Sequence, residues 1–483
     1  MGYIAIDLGT TNIKVCCYST DVSPLSLKRV KVEYIGTGGI VEFNADEYYK
    51  LVLQAMKESI AEAFGESREK HHIVLTGQAE SLVITDETYK PLVNAISWLD
   101  TRSGKEVEII AERFSQKERY QTTGQSYISE TFPITKLLWF QSHSKELTGS
   151  SVRYLMIKDY IAYRLCGVAV GEYSIYNFTH YLDINKKGYW DEILDFCGAS
   201  PINFPELVEP CTELGTIRKQ AADEINISYA STVNCGTLDH FAGMIGTGNI
   251  MPDKVSESTG TVLSVATMAD SFTMDKGTIP CHYGPFPNSY VYLAVCESGG
   301  ICLDWFKNKL AKDMSFQQLD ELASQRPTEE GLIFLPYISG VNSPEFDRNA
   351  SGVFYGLKVE HDAVSMAAAV MEGVAFLLDK NMKVFKDLGV RASAIVSTGG
   401  GAKSDYWNQL KADITGIPVT IPENSEAALF GSAIIGAVTS GNAAGYKEAT
   451  KLIKIDKEFY PRKNEPLLRK RELFDSIYVR LFQ

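Results

Sequence analysis

Asp7, Gly9, Thr10 and Thr11 stand almost side by side near the start of the chain. Tyr3 to Ile6, just before them, is a short apolar run suited to a buried strand, and Lys14 to Tyr18 reads as a return strand. Gly9 permits a tight turn, and Thr10 and Thr11 supply hydroxyls and backbone N–H groups that suit a phosphate, as a backbone nest does. Asp7 cannot hold a phosphate, because like charges repel. It suits the Mg²⁺ that a nucleotide carries, directly or through water. Taken alone, these residues fit an ordinary hairpin with a polar turn equally well.

A second turn of the same kind lies near the middle of the sequence. Ser256-Glu257-Ser258-Thr259-Gly260-Thr261 feeds a largely apolar run from Val262 to Ala266. Two such hairpins, each opening half of a chain, predict a duplicated architecture with two lobes facing each other and a nucleotide held between two phosphate loops. Just before the second hairpin, Val233 to Thr237 reads as a strand that presents Asp239 at the start of a small-residue helix. An acid there is either a helix cap, favoured by the helix dipole, or a general base. Its place beside the second phosphate turn favours the base.

Three further stretches have the chemistry of a binding site. Ile73 to Thr76 is a short strand ending in Gly77-Gln78-Ala79-Glu80, and in open α/β sheets ligands bind beyond such carboxyl ends. Gln78 and Glu80 suit a polyhydroxylated ligand; a plain surface loop is the alternative. In Ile96 to Arg102, an extended backbone would put Trp98, Asp100 and Arg102 on one face. That is either a sugar-binding wall or a core Trp beside a structural Asp–Arg pair. Ile395 to Ser404 is a strand, a run of three glycines and the start of a helix. It misses the Walker A pattern because Ala402 precedes Lys403, and the dinucleotide fingerprint because Ser404 holds its last position. A glycine-rich turn before a helix still lets backbone approach a flat or anionic ligand.

These residues need a scaffold, and the rest of the chain supplies one. Helices are expected over 44–64 with Asn44 as cap, 104–117, 135–147, 154–165, 362–388 and 426–438, and in the tail from Glu465. The length of 483 residues suits two or three domains, and 45% hydrophobic with 22% charged residues suits an ordinary globular protein. A formal net charge of −13 argues against nucleic acid or an anionic membrane as partner. The nine cysteines include no Cys-x-x-Cys, and the seven histidines show no metal-ligand spacing; buried free thiols in a reducing compartment are expected. No targeting segment or membrane-length apolar run is visible, so the expected location is cytoplasmic.

The chain as a whole resembles the FGGY carbohydrate kinases, with their actin-like duplicated ATPase lobes. The resemblance rests on Asp7 to Thr11 with Lys14, Trp98 to Arg102, Gly236 to Gly246 around Asp239, and Ser258 to Thr261. It continues through Ser298-Gly299-Gly300 with Asp304-Trp305, Gly331 to Pro336, Gly352 to Leu357, Gly399 to Ser404, and Glu426-Ala427-Ala428 with Gly431. It implies an α/β fold of two actin-like (ribonuclease H-like) lobes with a central interlobe cleft. Residues 1–245 would carry sugar binding and the base, and 246–483 nucleotide binding. ATP and Mg²⁺ are the implied cofactors. Asp239 would take the proton from the sugar hydroxyl, and Asp7 would hold the metal. Thr10, Thr11, Lys14, Thr259, Gly260 and Thr261 would face the phosphates, while Gly300, Asp304, Gly400, Gly401 and Ala402 would line the nucleotide pocket. Gln78, Glu80, Trp98, Asp239 and His240 would meet the substrate.

The expected activity is transfer of the γ-phosphate of ATP to a hydroxyl of a small sugar or polyol: a pentulose such as xylulose, or a related ketose or aldonate. A homodimer is the candidate assembly. Glycerol kinases of the family carry Arg–Glu after the Gln, and xylulose kinases tend to carry Met–His; here Ala79-Glu80 stands instead. The residues therefore leave the sugar open. The alternative is an actin-like or chaperone-like ATPase with no sugar substrate, which would share the lobes and loops.

Overall fold

The computed structural model describes residues 1–66, 68–273, 279–326, 328–347 and 349–482. The chain forms two compact units. One comprises Met1–Gly248, Pro280–Tyr290 and Glu426–Ile453; the other comprises Asn249–Ile279, Val291–Ser425 and Lys454–Gln483. Two segments from the expected second lobe thus group with the first unit.

The first unit is built on a six-stranded sheet. In spatial order its strands are Glu213–Thr216, Thr232–Leu238, His72–Gly77, Tyr3–Leu8, Asn12–Tyr18 and Pro24–Lys31. The hairpin is antiparallel and pairs Asp7 with Lys14. Tyr3–Leu8 and Thr232–Leu238 both run parallel to His72–Gly77. Leu8, Gly77 and Leu238 lie side by side in this register, so Gly9, Gln78 and Asp239 leave the sheet along one edge. Strands buried on both faces need near-continuous apolar runs, and Tyr3–Leu8 is wholly buried. On one face Ile4, Ile6, Ile13, Val15, Ile73, Leu75 and Val233 share a core with Tyr48, Val52, Met56 and Ile60 of helix Ala45–Phe64. Each such buried aliphatic contributes about 1.5–3 kcal/mol. Asn44 caps that helix by accepting from Glu47 N at 2.9 Å.

The second unit repeats the order. Strand Lys254–Thr259 pairs antiparallel with Leu263–Ala269 and parallel with Ala394–Thr398, which pairs parallel with Val419–Pro422; Ile455–Phe459 closes the edge antiparallel. Ser258 is in register with Thr398, so the turn at Thr259 and the glycine turn from Gly399 also leave along one edge. The α/β class and the duplicated sheet follow the expectation. Among the described residues no helix is long and apolar enough to cross a membrane.

Some elements differ from the expected ones. Arg153–Met156 is a strand paired with Leu82–Thr85, and the helix begins only at Ile157. The Asp159 carboxylate accepts from Met156 N at 3.0 Å and so sets the helix start. The expected helix 104–117 ends at Arg113, because Ser115 caps a new helix, Gln116–Thr123, by accepting from Glu118 N. The segment around Trp98 is a turn and not a strand: Asp100 N donates to Ser97 O at 3.0 Å.

Helix Ala427–Thr439 comes late in the chain and packs on helix Asp239–Gly246 within the first unit. Glycines on both helices allow backbone contact. A Cβ on Gly431 would meet Ala242 O at 1.8 Å, and one on Gly246 would meet Ala427 O at 2.0 Å. Gly431→Ala gains about 1 kcal/mol in helix propensity, but forcing a methyl onto backbone costs about 1–3 kcal/mol or more. The expected result is a lowered thermal-unfolding midpoint; an unchanged midpoint would refute the close approach.

Candidate active site

The turn after Tyr3–Leu8 is pinned from behind. Tyr34 Oη donates to Thr10 O at 2.8 Å and Tyr48 Oη to Gly9 O at 3.2 Å. Asp7 is buried; its Oδ2 lies 3.7 Å from Lys14 Nζ, and its Oδ1 has no hydrogen-bond partner among the described residues. Burial raises the Asp7 carboxyl above its ordinary range, Lys14 opposes this, and Glu426 adds to it. Lys14 is also bonded to Glu426 at 2.9 Å, and Glu426 accepts from Arg29 at 2.8 Å. The Lys14 ammonium thus spans two acids of the first unit. Thr11 is exposed.

Thr10, Gln78 and Trp98 form one hydrogen-bonded chain. Trp98 Nε1 donates to Thr10 Oγ1 at 2.8 Å, and Thr10 Oγ1 donates to Gln78 Oε1 at 3.3 Å. Ser81 Oγ donates to the same Gln78 oxygen at 2.8 Å and accepts from Trp98 N at 3.2 Å. The structure therefore joins the Thr10 hydroxyl to Gln78 and Trp98, leaving the backbone of the turn as the part free of this chain. Gln78 Nε2 is buried without a hydrogen-bond partner among the described residues. Glu80 has a left-handed backbone, φ 67°, uncommon for a non-glycine residue. Burial pushes its carboxyl up to about 8, against the pull of Lys136.

Asp239 is the first residue of helix Asp239–Gly246, and its Oδ1 accepts from His240 N at 2.6 Å. Burial raises its carboxyl to about 7; Asp7 adds to the rise, while the His240 N–H, Lys14 and Lys158 oppose it. His240, half-buried, has its Nε2 without a partner among the described residues, and burial lowers its pKa to about 4, so the ring is neutral near pH 7. Asp100 and Arg102 serve the scaffold. Asp100 accepts from Arg102 Nε at 2.9 Å and Nη2 at 2.7 Å and from Val41 N at 2.8 Å, while Arg102 also reaches Glu42 at 2.6 Å.

In the second unit, a cavity of about 840 Å³ is lined by Thr259, Gly260, Gly300, Asp304, Gly400 and Gly401, with Tyr406 and Trp407 adding aromatic surface. Thr261 and Ala402 are not among its lining residues. The Thr261 carbonyl accepts from Gly299 N at 3.2 Å and Ile301 N at 3.1 Å, and the Ala402 carbonyl from Asn408 Nδ2 at 2.8 Å. The glycine turn presses on Thr259: a Cβ on Gly401 would meet Thr259 Cβ at 2.6 Å. Beneath it lies a buried ion pair. Glu257 accepts from Lys411 Nζ at 2.8 Å, from Ser397 Oγ at 2.5 Å and from Thr259 Oγ1, with both charged side chains at most 1% exposed. One carboxylate thus ties together the two turns and helix Asp405–Thr415. Neither Glu257 nor Lys411 had a sequence signal, because 154 residues separate them.

A family model described as the FGGY family of carbohydrate kinases, N-terminal domain, matches residues 2–246, and the C-terminal domain of the same family matches 258–440. A xylulose kinase of Bacillus subtilis is 29% identical over 98% of this chain and 95% of its own length. A gluconokinase of the same organism is 26% identical over 93% of this chain and 90% of its own. The ligand-bound xylulose kinase of Lactobacillus acidophilus superposes with a TM-score of 0.91 at 24% identity, covering 99% of this chain and 98% of that one.

Two outcomes follow from the electrostatics. Lys411→Met leaves Glu257 buried and unpaired, and its expected cost of about 3–5 kcal/mol should show in denaturant unfolding; a cost near zero would mean that the pair is not sealed. Asp239 has a folded-state pKa near 7 against an ordinary value of 3.8, so the folded protein holds its proton more tightly than the unfolded chain. Its contribution to stability is therefore present at low pH and declines as pH rises from about 4 to about 7. Asp239→Asn should raise the unfolding midpoint more at pH 8 than at pH 5; an equal shift at both would refute the raised pKa.

Proposed function

Because the chain belongs to the FGGY family of carbohydrate kinases, we propose that it transfers the γ-phosphate of ATP to a hydroxyl of a small neutral ketose or polyol, a pentulose first among them, with Asp239 as the base. The chain is an ATP-dependent carbohydrate kinase with an alcohol group as acceptor. The observation that carries the roles is the shared edge at which Asp7, Gln78 and Asp239 meet the ends of three adjacent parallel strands.

In this reading the first unit binds the acceptor through Gln78, Glu80, Trp98 and His240, and the second unit holds the nucleotide in the cavity of Thr259, Gly260, Gly300, Asp304, Gly400 and Gly401. Asp239 takes the hydroxyl proton as that oxygen bonds to the γ-phosphorus, and the bond to the β-phosphate oxygen breaks to release ADP. A base with a pKa near 7 is matched to this task at neutral pH. The backbone of Thr10 and Thr11 faces phosphate, and Lys14 balances Asp7. The partnerless Asp7 Oδ1 fits Mg²⁺, which commonly takes one or two carboxylates with substrate phosphates and water; when bound, it neutralises phosphate charge.

A neutral acceptor is favoured by the cations of the first unit that act on the site's acids or border its residues, because they are already engaged. Lys136 donates to the carbonyls of Asp100 at 3.0 Å, Thr131 at 3.3 Å and Glu130. Lys158 pairs with Glu172 at 2.7 Å, Arg102 with Asp100 and Glu42, and Lys14 with Glu426. An aldonate carboxylate would enter a site already holding the acids Asp7 and Asp239. The nine cysteines, all free, suit the reducing cytoplasm expected for the protein.

The test is ADP release with pentuloses, hexuloses, polyols and aldonates. Stimulation by a neutral sugar is expected. An aldonate as best substrate would overturn the neutral reading, and stimulation by a protein alone would favour the ATPase alternative. Asp239→Asn should lose about 10²- to 10⁴-fold in turnover while still binding ATP; near-normal turnover would remove Asp239 from its role.

A further inference from the structure

His282 arrives in the first unit from the second half of the sequence and is held on both sides. Cys281 N donates to Gly124 O at 2.9 Å, and a Cβ on Gly124 would meet Cys281 O at 1.9 Å. Tyr283 N donates to Asn177 Oδ1 at 2.7 Å, and Asn177 Nδ2 donates to Thr123 O at 2.7 Å. Between these anchors the imidazole, 2% exposed, lies flat on Phe178, with centroids 4.1 Å apart and planes at 4°. It also meets Phe241 edge-on at 6.3 Å. Phe241 belongs to the first turn of the helix that Asp239 begins, and the ring is close enough for His240 to act on its charge.

The hydrogen bonds fix the tautomer. Gln125 Nε2 donates to Asn177 O at 2.8 Å, which identifies that atom as the amide nitrogen. The same nitrogen lies 3.2 Å from His282 Nδ1, so Nδ1 accepts and the ring proton sits on Nε2. Burial lowers the pKa of the ring to about 3 and keeps it neutral. Its Nε2–H has no partner among the described residues. A ring braced in this way can offer that donor to a partner from outside the protein, where a hydrogen bond of this kind contributes about 0.5–1.5 kcal/mol.

We propose that His282 binds the acceptor sugar by donating its Nε2–H to an oxygen other than the one Asp239 deprotonates. This rests on reading the start of the Asp239 helix as the acceptor site. The residue sets specificity through a neutral donor, which suits a hydroxyl or carbonyl oxygen and offers no charge to a carboxylate.

The experiment compares wild type with His282→Phe, His282→Gln and Gln125→Met, using the best sugar of the panel and its singly deoxygenated analogues. His282→Phe should raise KM for the full sugar on the order of tenfold, the worth of one such hydrogen bond, with KM for ATP unchanged. For one deoxy analogue the variant and wild type should have equal KM, because the lost oxygen and the lost N–H are the same bond. His282→Gln, which keeps an N–H, should recover part of the loss, and Gln125→Met should weaken sugar binding in the same direction. A KM for sugar that does not change, or equal losses for every analogue and for ATP, would overturn the proposal. Where one histidine variant does not fold, the other and Gln125→Met decide in the same way. Failure of the acceptor-site reading is distinguished by Asp239→Asn retaining turnover, whatever the His282 variants do.

Discussion

The parallel register of neighbouring strands governs what this protein can do. A sheet spaces its strands about 4.8 Å apart, so three strands ending level deliver three loops to one small area. Leu8, Gly77 and Leu238 end level, and Asp7, Gln78 and Asp239 are gathered there although they lie far apart in sequence. The second sheet does the same with Ser258 and Thr398, gathering the Thr259 turn and the glycine turn. A slip of one residue would turn every side chain to the opposite face. The buried apolar runs that forbid such a slip are therefore as much a part of the chemistry as the acids.

Each edge is stiffened differently. In the first unit the supports are mostly neutral: tyrosine hydroxyls on the Gly9 and Thr10 carbonyls, and a Trp98–Thr10–Gln78 chain that ties the Trp98 turn to the Gly9 turn. Burial raises the carboxyls of Asp239 and Glu80 at this edge. In the second unit a buried Glu257–Lys411 pair does the bracing, and the charges cancel beneath the cavity. One edge keeps buried acids with raised pKa values; the other presents backbone and glycine to a cavity.

Much of this was legible from local residues. Both hairpins, the helix start at Asp239, the glycine turn and the α/β class follow from apolar runs broken by Gly and Thr, and the family matches support that reading. What escaped depended on partners distant in sequence. Arg153–Met156 is a strand only because Leu82–Thr85 lies beside it. Trp98 sits in a turn because Asp100 is consumed by Val41 and Arg102. His282 gave no metal-ligand spacing, and its setting comes from Gly124, Gln125, Asn177 and Phe178. Long-range pairing leaves no periodic trace in either chain segment.

The threading of the chain has a consequence for biosynthesis. The first unit takes Pro280–Tyr290 and Glu426–Ile453 from far downstream. As residue 248 leaves the ribosome, the bed for helix Ala427–Thr439, which includes Tyr3 and Val74 beneath Gly436, has nothing to cover it. At about 5–20 residues per second the missing helix follows about 10–40 s later. For that interval the nascent chain carries a bare apolar groove beside a finished sheet, a natural target for a chaperone that shields exposed surface until translation ends.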